Sequence, residues 1–133
     1  MIWLGVKKLG KQRSTAEAIE EFDIYGVQRL NQNAALLSGG NAQKLVIARE
    51  FSSKPSVVIA HSPSRGLDLK ASAFVHKQLL TARDGGAAVL LLSEDLDEIM
   101  LLSDTIGVIN RGRITAEFSS PADRQIIGKA MVN

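Results

Sequence analysis

The chain has 133 residues, 45% of them hydrophobic, enough for one small domain with a buried core and too apolar for a disordered tail. A net charge of +2 is too weak to argue for binding to nucleic acid or a membrane surface, and no apolar run approaches the roughly 20 residues that span a bilayer. Cysteine is absent, which excludes a disulfide framework and thiolate metal sites and fits a cytoplasmic protein. Residues 1–8 are too short and wrongly ordered for a signal peptide, and Trp3 is expected to pack on the first helix.

Residues 14–22 predict a helix: Ser14 caps it, Glu17 stands three residues on as in a capping box, and Ala18, Ile19 and Phe22 share a face. Polar Asn31, Gln32 and Asn33 read as a loop. A second helix opens at Ser38 and runs to about Ser52, where Lys54 and Pro55 break it. The run Val57, Val58, Ile59, Ala60 has the pattern of a buried parallel strand, and residues 64–68 form a turn around Gly66. Residues 69–84 predict a long helix that ends at Gly85 and Gly86. Residues 87–92 are a second apolar strand. Residues 93–98 open another helix, with acids in its first turn that suit the dipole. Residues 105–109 make a third strand that turns at Arg111 and Gly112 into residues 114–118 as a hairpin, and Pro121 starts a last helix. Strands alternating with helices mean an α/β fold with a parallel sheet.

The stretch with the most chemistry is Ser38, Gly39, Gly40, Asn41. A serine N-cap and two glycines leave a helix N-terminus with free amides, a hydroxyl and the positive end of the dipole, a site suited to phosphate. An ordinary capped helix is the simpler alternative. Elsewhere the signals are weak. His61 has no cluster of ligand-type residues around it, and His76 falls at a helix surface or boundary. Arg111 and Arg113 flank a turn and are expected to be solvated. Asp95, Asp97 and Glu98 are explained as helix-start acids before any paired-carboxylate site is invoked.

Leu37 to Asn41 read LSGGN, which resembles the LSGGQ signature of ATP-binding cassette (ABC) ATPases. Gln43, Lys44, Ala48, Arg49 and Glu50 extend the likeness toward the sugar and nucleoside importers of that family, and the resemblance runs from Glu20 to Phe118. It implies a partial P-loop NTPase fold. Residues 1–36 would be a remnant of the helical subdomain, residues 37–118 the signature-to-switch part of the core, and residues 119–133 a C-terminal helix. The Walker A loop and the glutamine loop are absent from this sequence, so the resemblance is to the C-terminal part of a cassette.

The same resemblance implies that catalysis is degraded. His61 and Ser62 stand where the family has a magnesium-holding Asp and a water-orienting Glu, and Glu94 replaces the switch histidine. Asp68 falls at the D-loop aspartate. The second, degenerate cassette of fused importer ATPases is similar at these positions. Magnesium prefers oxygen ligands, Ser62 is no carboxylate base, and Glu94 brings negative charge where a hydrogen-bond donor is needed.

The resemblance further implies that Ser38, Gly39, Gly40 and Asn41 contact nucleotide held by a partner cassette. ATP and magnesium are then expected only in a complete cassette pair. The implied partners are a complete cassette and a membrane permease, at the inner face of the membrane, with no nucleic acid. A homodimer through exposed sheet edges is a further expectation. The alternative is a stand-alone degenerate domain that acts only in protein–protein interaction. In the family a strand belonging to the absent half lies between residues 87–92 and 105–109. That gap is expected to close, by direct pairing of the two strands or by a strand from a second copy.

Overall fold

The structure is a computed structural model that describes residues 15–132. Ser14 and Trp3 lie outside the described residues. The order of elements is α1 (Thr15–Glu21), a short 3-10 turn (Ala34–Leu36), α2 (Gly39–Phe51), β1 (Val57–His61), α3 (Leu69–Asp84), β2 (Ala88–Leu92), α4 (Leu96–Leu102), β3 (Thr105–Asn110), β4 (Arg113–Ser119) and α5 (Arg124–Val132). The fold is α/β, with β1 and β2 parallel, Val57 opposite Ala88 through His61 opposite Leu92.

Local chemistry sets the element ends. Asp68 caps α3 by accepting from the Ala71 amide at 2.8 Å, and Gly85 with left-handed Gly86 closes it. Arg111 and Gly112, both at positive φ, form the two-residue turn that joins β3 to β4. The last helix begins at Arg124, not at Pro121. Asp123 is its cap, accepting from the Gln125 and Ile126 amides, so the acid three residues before Ile126 sets the start where the proline was expected to.

Two cores hold the molecule. Phe22, Ile24, Ile47, Ala48, Val58, Val75 and Leu79 pack α2 and α3 on one face of β1 and β2. A smaller cluster, Ile106, Val108 and Ile127, packs α5 on the β3–β4 hairpin. The expected closure of the gap by direct pairing does not occur. β2 pairs only with β1 and β3 only with β4 among the described residues, and β2 and β3 border an open cleft of about 1080 Å³. The physical reason is that each pair is anchored by its own helix and its own core. Drawing the edges together would pull β2 off Leu79 or β3 off Ile127, and lost apolar burial costs about 25 cal/mol per Å².

Lys44 is the unusual core residue. It sits on the buried face of α2 with Ile47 and Ala48 and is only 8% exposed. Its ammonium donates to the Asp23 carbonyl at 2.6 Å and meets the Asp23 carboxylate at 3.2 Å. The Tyr25 and Phe74 rings lie 5.3 and 4.9 Å away, so charge, hydrogen bond and ring faces together offset the burial. Tyr25 and then Lys44 hold the Asp23 carboxyl below its ordinary value. That contribution is complete above the unfolded value near 3.8 and is lost as pH falls through the lower folded value.

Candidate functional site

The start of α2 is a surface feature. Ser38 and Gly39 are exposed and Gly40 is half-buried. Ser38 has the extended backbone of an N-cap, and its carbonyl accepts from the Ala42 amide at 2.8 Å. Its hydroxyl does not cap the helix as expected. It accepts from the Asn41 side-chain amide at 2.9 Å, while the Asn41 side-chain oxygen takes the Tyr25 amide at 2.8 Å. Asn41 is within reach of the serine, so a side-chain pair replaces the usual cap and the first-turn amides stay unclaimed by Ser38. Because the hydroxyl does no capping, Ser38→Arg is expected to change stability by no more than about 0.5 kcal/mol, read by chemical denaturation.

The two glycines differ in role. A Cβ at Gly39 would meet open space, so that position leaves the helix end accessible. A Cβ at Gly40 would lie 3.2 Å from the Ala71 side chain, so Gly40 lets α2 approach the first turn of α3. Ala71 is the residue whose amide Asp68 caps. The fold therefore sets the start of α2 beside the first turn of α3, the turn that Asp68 caps.

His61, Ser62 and Glu94 form a second group. The Ser62 amide donates to the Leu92 carbonyl at 2.7 Å, which ties the end of β1 to the end of β2. Ser62 and Glu94 line one crevice at these strand ends, and His61 is exposed beside it. Among the described residues no group of three or more His, Cys, Asp or Glu could hold a metal ion. The nitrogen of His61 does not suit magnesium, which prefers oxygen ligands, and Ser62 has no carboxylate to act as a base.

The turn between the two groups is tied from several sides. Gln43 of α2 donates to the Pro63 carbonyl at 2.9 Å, and Ser64 donates to Glu98 of α4 at 2.5 Å. The same Glu98 oxygen meets His76 Nε2 of α3 at 2.9 Å. Glu98 stands in the first turn of α4, as expected of a helix-start acid, but its side chain is 2% exposed, and its second oxygen is buried with no partner among the described residues. His76 is half-buried against it, a boundary residue as expected. Arg111 and Arg113 are exposed, as expected. Asp95 is the α4 cap and Asp97 pairs with Arg124.

The contacts made by Lys44, Gln43 and Glu98 are not legible from their spacing in the sequence. One signal was available: Lys44 falls on the same helical face as Ile47 and Ala48, and a charge on an apolar face needs partners. Glu98→Ala is expected to cost about 2–3 kcal/mol by urea denaturation, since it strands the Ser64 hydroxyl and the His76 ring in a buried place.

No family model matches the chain. It is 45% identical over 125 residues to the glucose import ATP-binding protein of Haloferax volcanii, which takes in 92% of this chain and 23% of that protein. It is 49% identical over 114 residues to the guanosine import ATP-binding protein of Bacillus subtilis, with 85% and 22% covered. The nucleoside import ATP-binding protein of Lactococcus lactis is 45% identical over 117 residues, with 87% and 23% covered. The chain thus spans about a quarter of the length of these relatives. Among solved structures, the ATP-binding subunit of an ABC transporter superimposes with a TM-score of 0.73 at 22% identity, over 88% of this chain and 52% of that one. A dimeric ATP-binding cassette in a post-hydrolysis state gives 0.67 at 21% identity, over 81% and 46%. These likenesses of fold agree with the sequence relatives, which match through their C-terminal part. The chain belongs with the ABC transporter ATP-binding proteins, as a partial cassette, and the relatives that it matches are named for sugar and nucleoside import.

Proposed function

We propose that this chain is the C-terminal part of an importer's ATP-binding subunit, and that it presents Ser38, Gly39, Gly40 and Asn41 to ATP held by a complete partner cassette. The observation that carries this is the accessible α2 start, with its first-turn amides unclaimed by Ser38 and open space at Gly39. Those amides and the dipole would meet a phosphate that the partner already holds. Asn41 has a narrower role than a direct contact. Both ends of its side chain are engaged, so it fixes Ser38 and the 22–25 segment in place. Asp68, at the adjoining α3 start, belongs to the same face. On this reading residues 1–36 are the remnant of a helical subdomain, residues 37–118 the core and residues 119–133 a C-terminal appendage. The assembled protein works on the cytoplasmic side of a membrane beside a permease. Among the described residues no helix is long and apolar enough to cross that membrane.

The test is capture of the chain by a complete, hydrolysis-deficient cassette from one of the relatives, with and without magnesium and ATP. A complex that needs ATP and is lost in Ser38→Arg is the expected result. A complex indifferent to both favours the alternative, a degenerate domain that acts only through protein contacts.

A further inference from the structure

Glu98 is a buried acid with one oxygen doubly engaged and the other idle. Its Oε1 takes the Ser64 hydroxyl at 2.5 Å and meets His76 Nε2 at 2.9 Å, while Oε2 is buried with no partner among the described residues. A carboxyl group so placed is a poor way to fill space. An apolar side chain of the same volume packs a helix into a core without the desolvation of an oxygen that finds no donor. The two bonds on Oε1 say what the acid does instead. It fixes Ser64, and His76 of α3, meeting the same oxygen, sets which oxygen faces the turn.

The turn held in this way is strained. Ser62 has φ of 45°, in the left-handed region that disfavours a residue with a side chain. Such a residue persists only when its surroundings over-determine it. Three elements do so here. The Ser62 amide is tied to the Leu92 carbonyl of β2 at 2.7 Å, the Pro63 carbonyl takes Gln43 of α2 at 2.9 Å, and Ser64 is tied to Glu98 of α4. Within the turn, the Arg65 amide donates to the Ser62 carbonyl at 3.2 Å and the Leu67 amide to the Ser64 carbonyl at 3.1 Å.

Where the turn ends, α3 begins. Asp68 accepts from the Ala71 amide through its side chain and from the Ser72 amide through its carbonyl. Ala71 is the residue whose side chain would stand 3.2 Å from a Cβ at Gly40, so the first turn of α3 lies close against the start of α2. Close-packed groups pass a displacement on rather than absorb it. Gln43 closes the circuit, since it runs from α2 directly to the same turn.

We infer that Glu98 is a positioning residue for the α2 start: oriented by His76, it holds the strained turn through Ser64, and through the turn it sets the first turn of α3 against Gly40. Its importance to a partner rests on the reading that the α2 start faces nucleotide held by that partner.

A space-filling role and a positioning role separate in one pair of variants. Glu98→Met keeps the volume and removes the acceptor, whereas Glu98→Gln keeps an acceptor oxygen for Ser64. The experiment records amide NMR spectra of the full chain and its ATP-dependent capture by a complete, hydrolysis-deficient relative. Glu98→Met is expected to shift the amides of Asp68, Ala71 and Gly40 and to weaken capture of the folded protein by about tenfold. Glu98→Gln should leave both near those of the unaltered chain. Ser64→Ala breaks the same tie with Glu98 in place, so it should copy Glu98→Met, and it replaces that variant if the latter does not fold. Two results would overturn the inference: Glu98→Met behaving as Glu98→Gln does, or shifts in Glu98→Met and Ser64→Ala that stop within the turn and α4. Should the unaltered chain show no ATP-dependent capture, the reading of the α2 start fails by itself, and the spectra still decide whether Glu98 sets its position.

Discussion

Replacing Ile127 with alanine is expected to cost about 3 kcal/mol and to release α5 from the β3–β4 hairpin while the rest of the molecule keeps its packing. Ile127 is 1% exposed and, with Ile106 and Val108, makes up the buried part of the smaller core among the described residues. Truncation to alanine removes three carbons from a site where α5 meets the β3–β4 hairpin, with half-buried Leu96, Ile99 and Met100 of α4 packed beside it. The larger cluster around Val75 and Leu79 contains none of these residues, and no strand hydrogen bond joins the two sheets among the described residues. Amide exchange should therefore quicken by about a hundredfold in β3, β4 and α5 and change little in β1, α3 and β2. Val75→Ala should show the reverse distribution. Equal loss of protection in both halves would mean that the molecule unfolds as one unit.

Much of this architecture was legible because the local signals agree with one another. Residues 69–84 form the helix that the pattern predicted, since the turn at Gly66 precedes it and Gly85 and Gly86 follow it. The β3–β4 hairpin follows from Arg111 and Gly112 between two apolar runs. The errors have a common cause, which is competition between groups that sequence spacing does not reveal. Ser38 was expected to cap α2, but Asn41 took its hydroxyl. Pro121 was expected to open α5, but Asp123 had the better-placed carboxylate. Glu98 looked like one of three dipole-suited acids, and only the fold brings Ser64 and His76, 34 and 22 residues away, onto its oxygen. The gap was foreseen, but the direct pairing expected to close it does not occur. Pairing depends on which helix holds each strand, a tertiary fact. In the candidate site, the adjacency of Gly40 and Ala71 was likewise invisible, because a close helix approach leaves no trace in spacing.

The second large effect concerns nucleotide. The account holds that this chain acts only on ATP that a partner holds. Its accessible phosphate-seeking element is the α2 start, a few amides and a dipole worth about 0.3–2 kcal/mol. Micromolar affinity needs about 8 kcal/mol. The remaining groups do not supply the difference. His61 is a poor magnesium ligand, Ser62 cannot serve as a carboxylate base, and Glu94 brings negative charge to the crevice at the strand ends. No P-loop sequence is present in the chain to cradle phosphates with its amides and lysine. The most direct measurement is calorimetric titration of the purified chain with magnesium and ATP, run beside a phosphate-release assay. The account predicts no binding tighter than about millimolar and no turnover above buffer. Micromolar affinity, or turnover that Ser38→Arg abolishes, would contradict it.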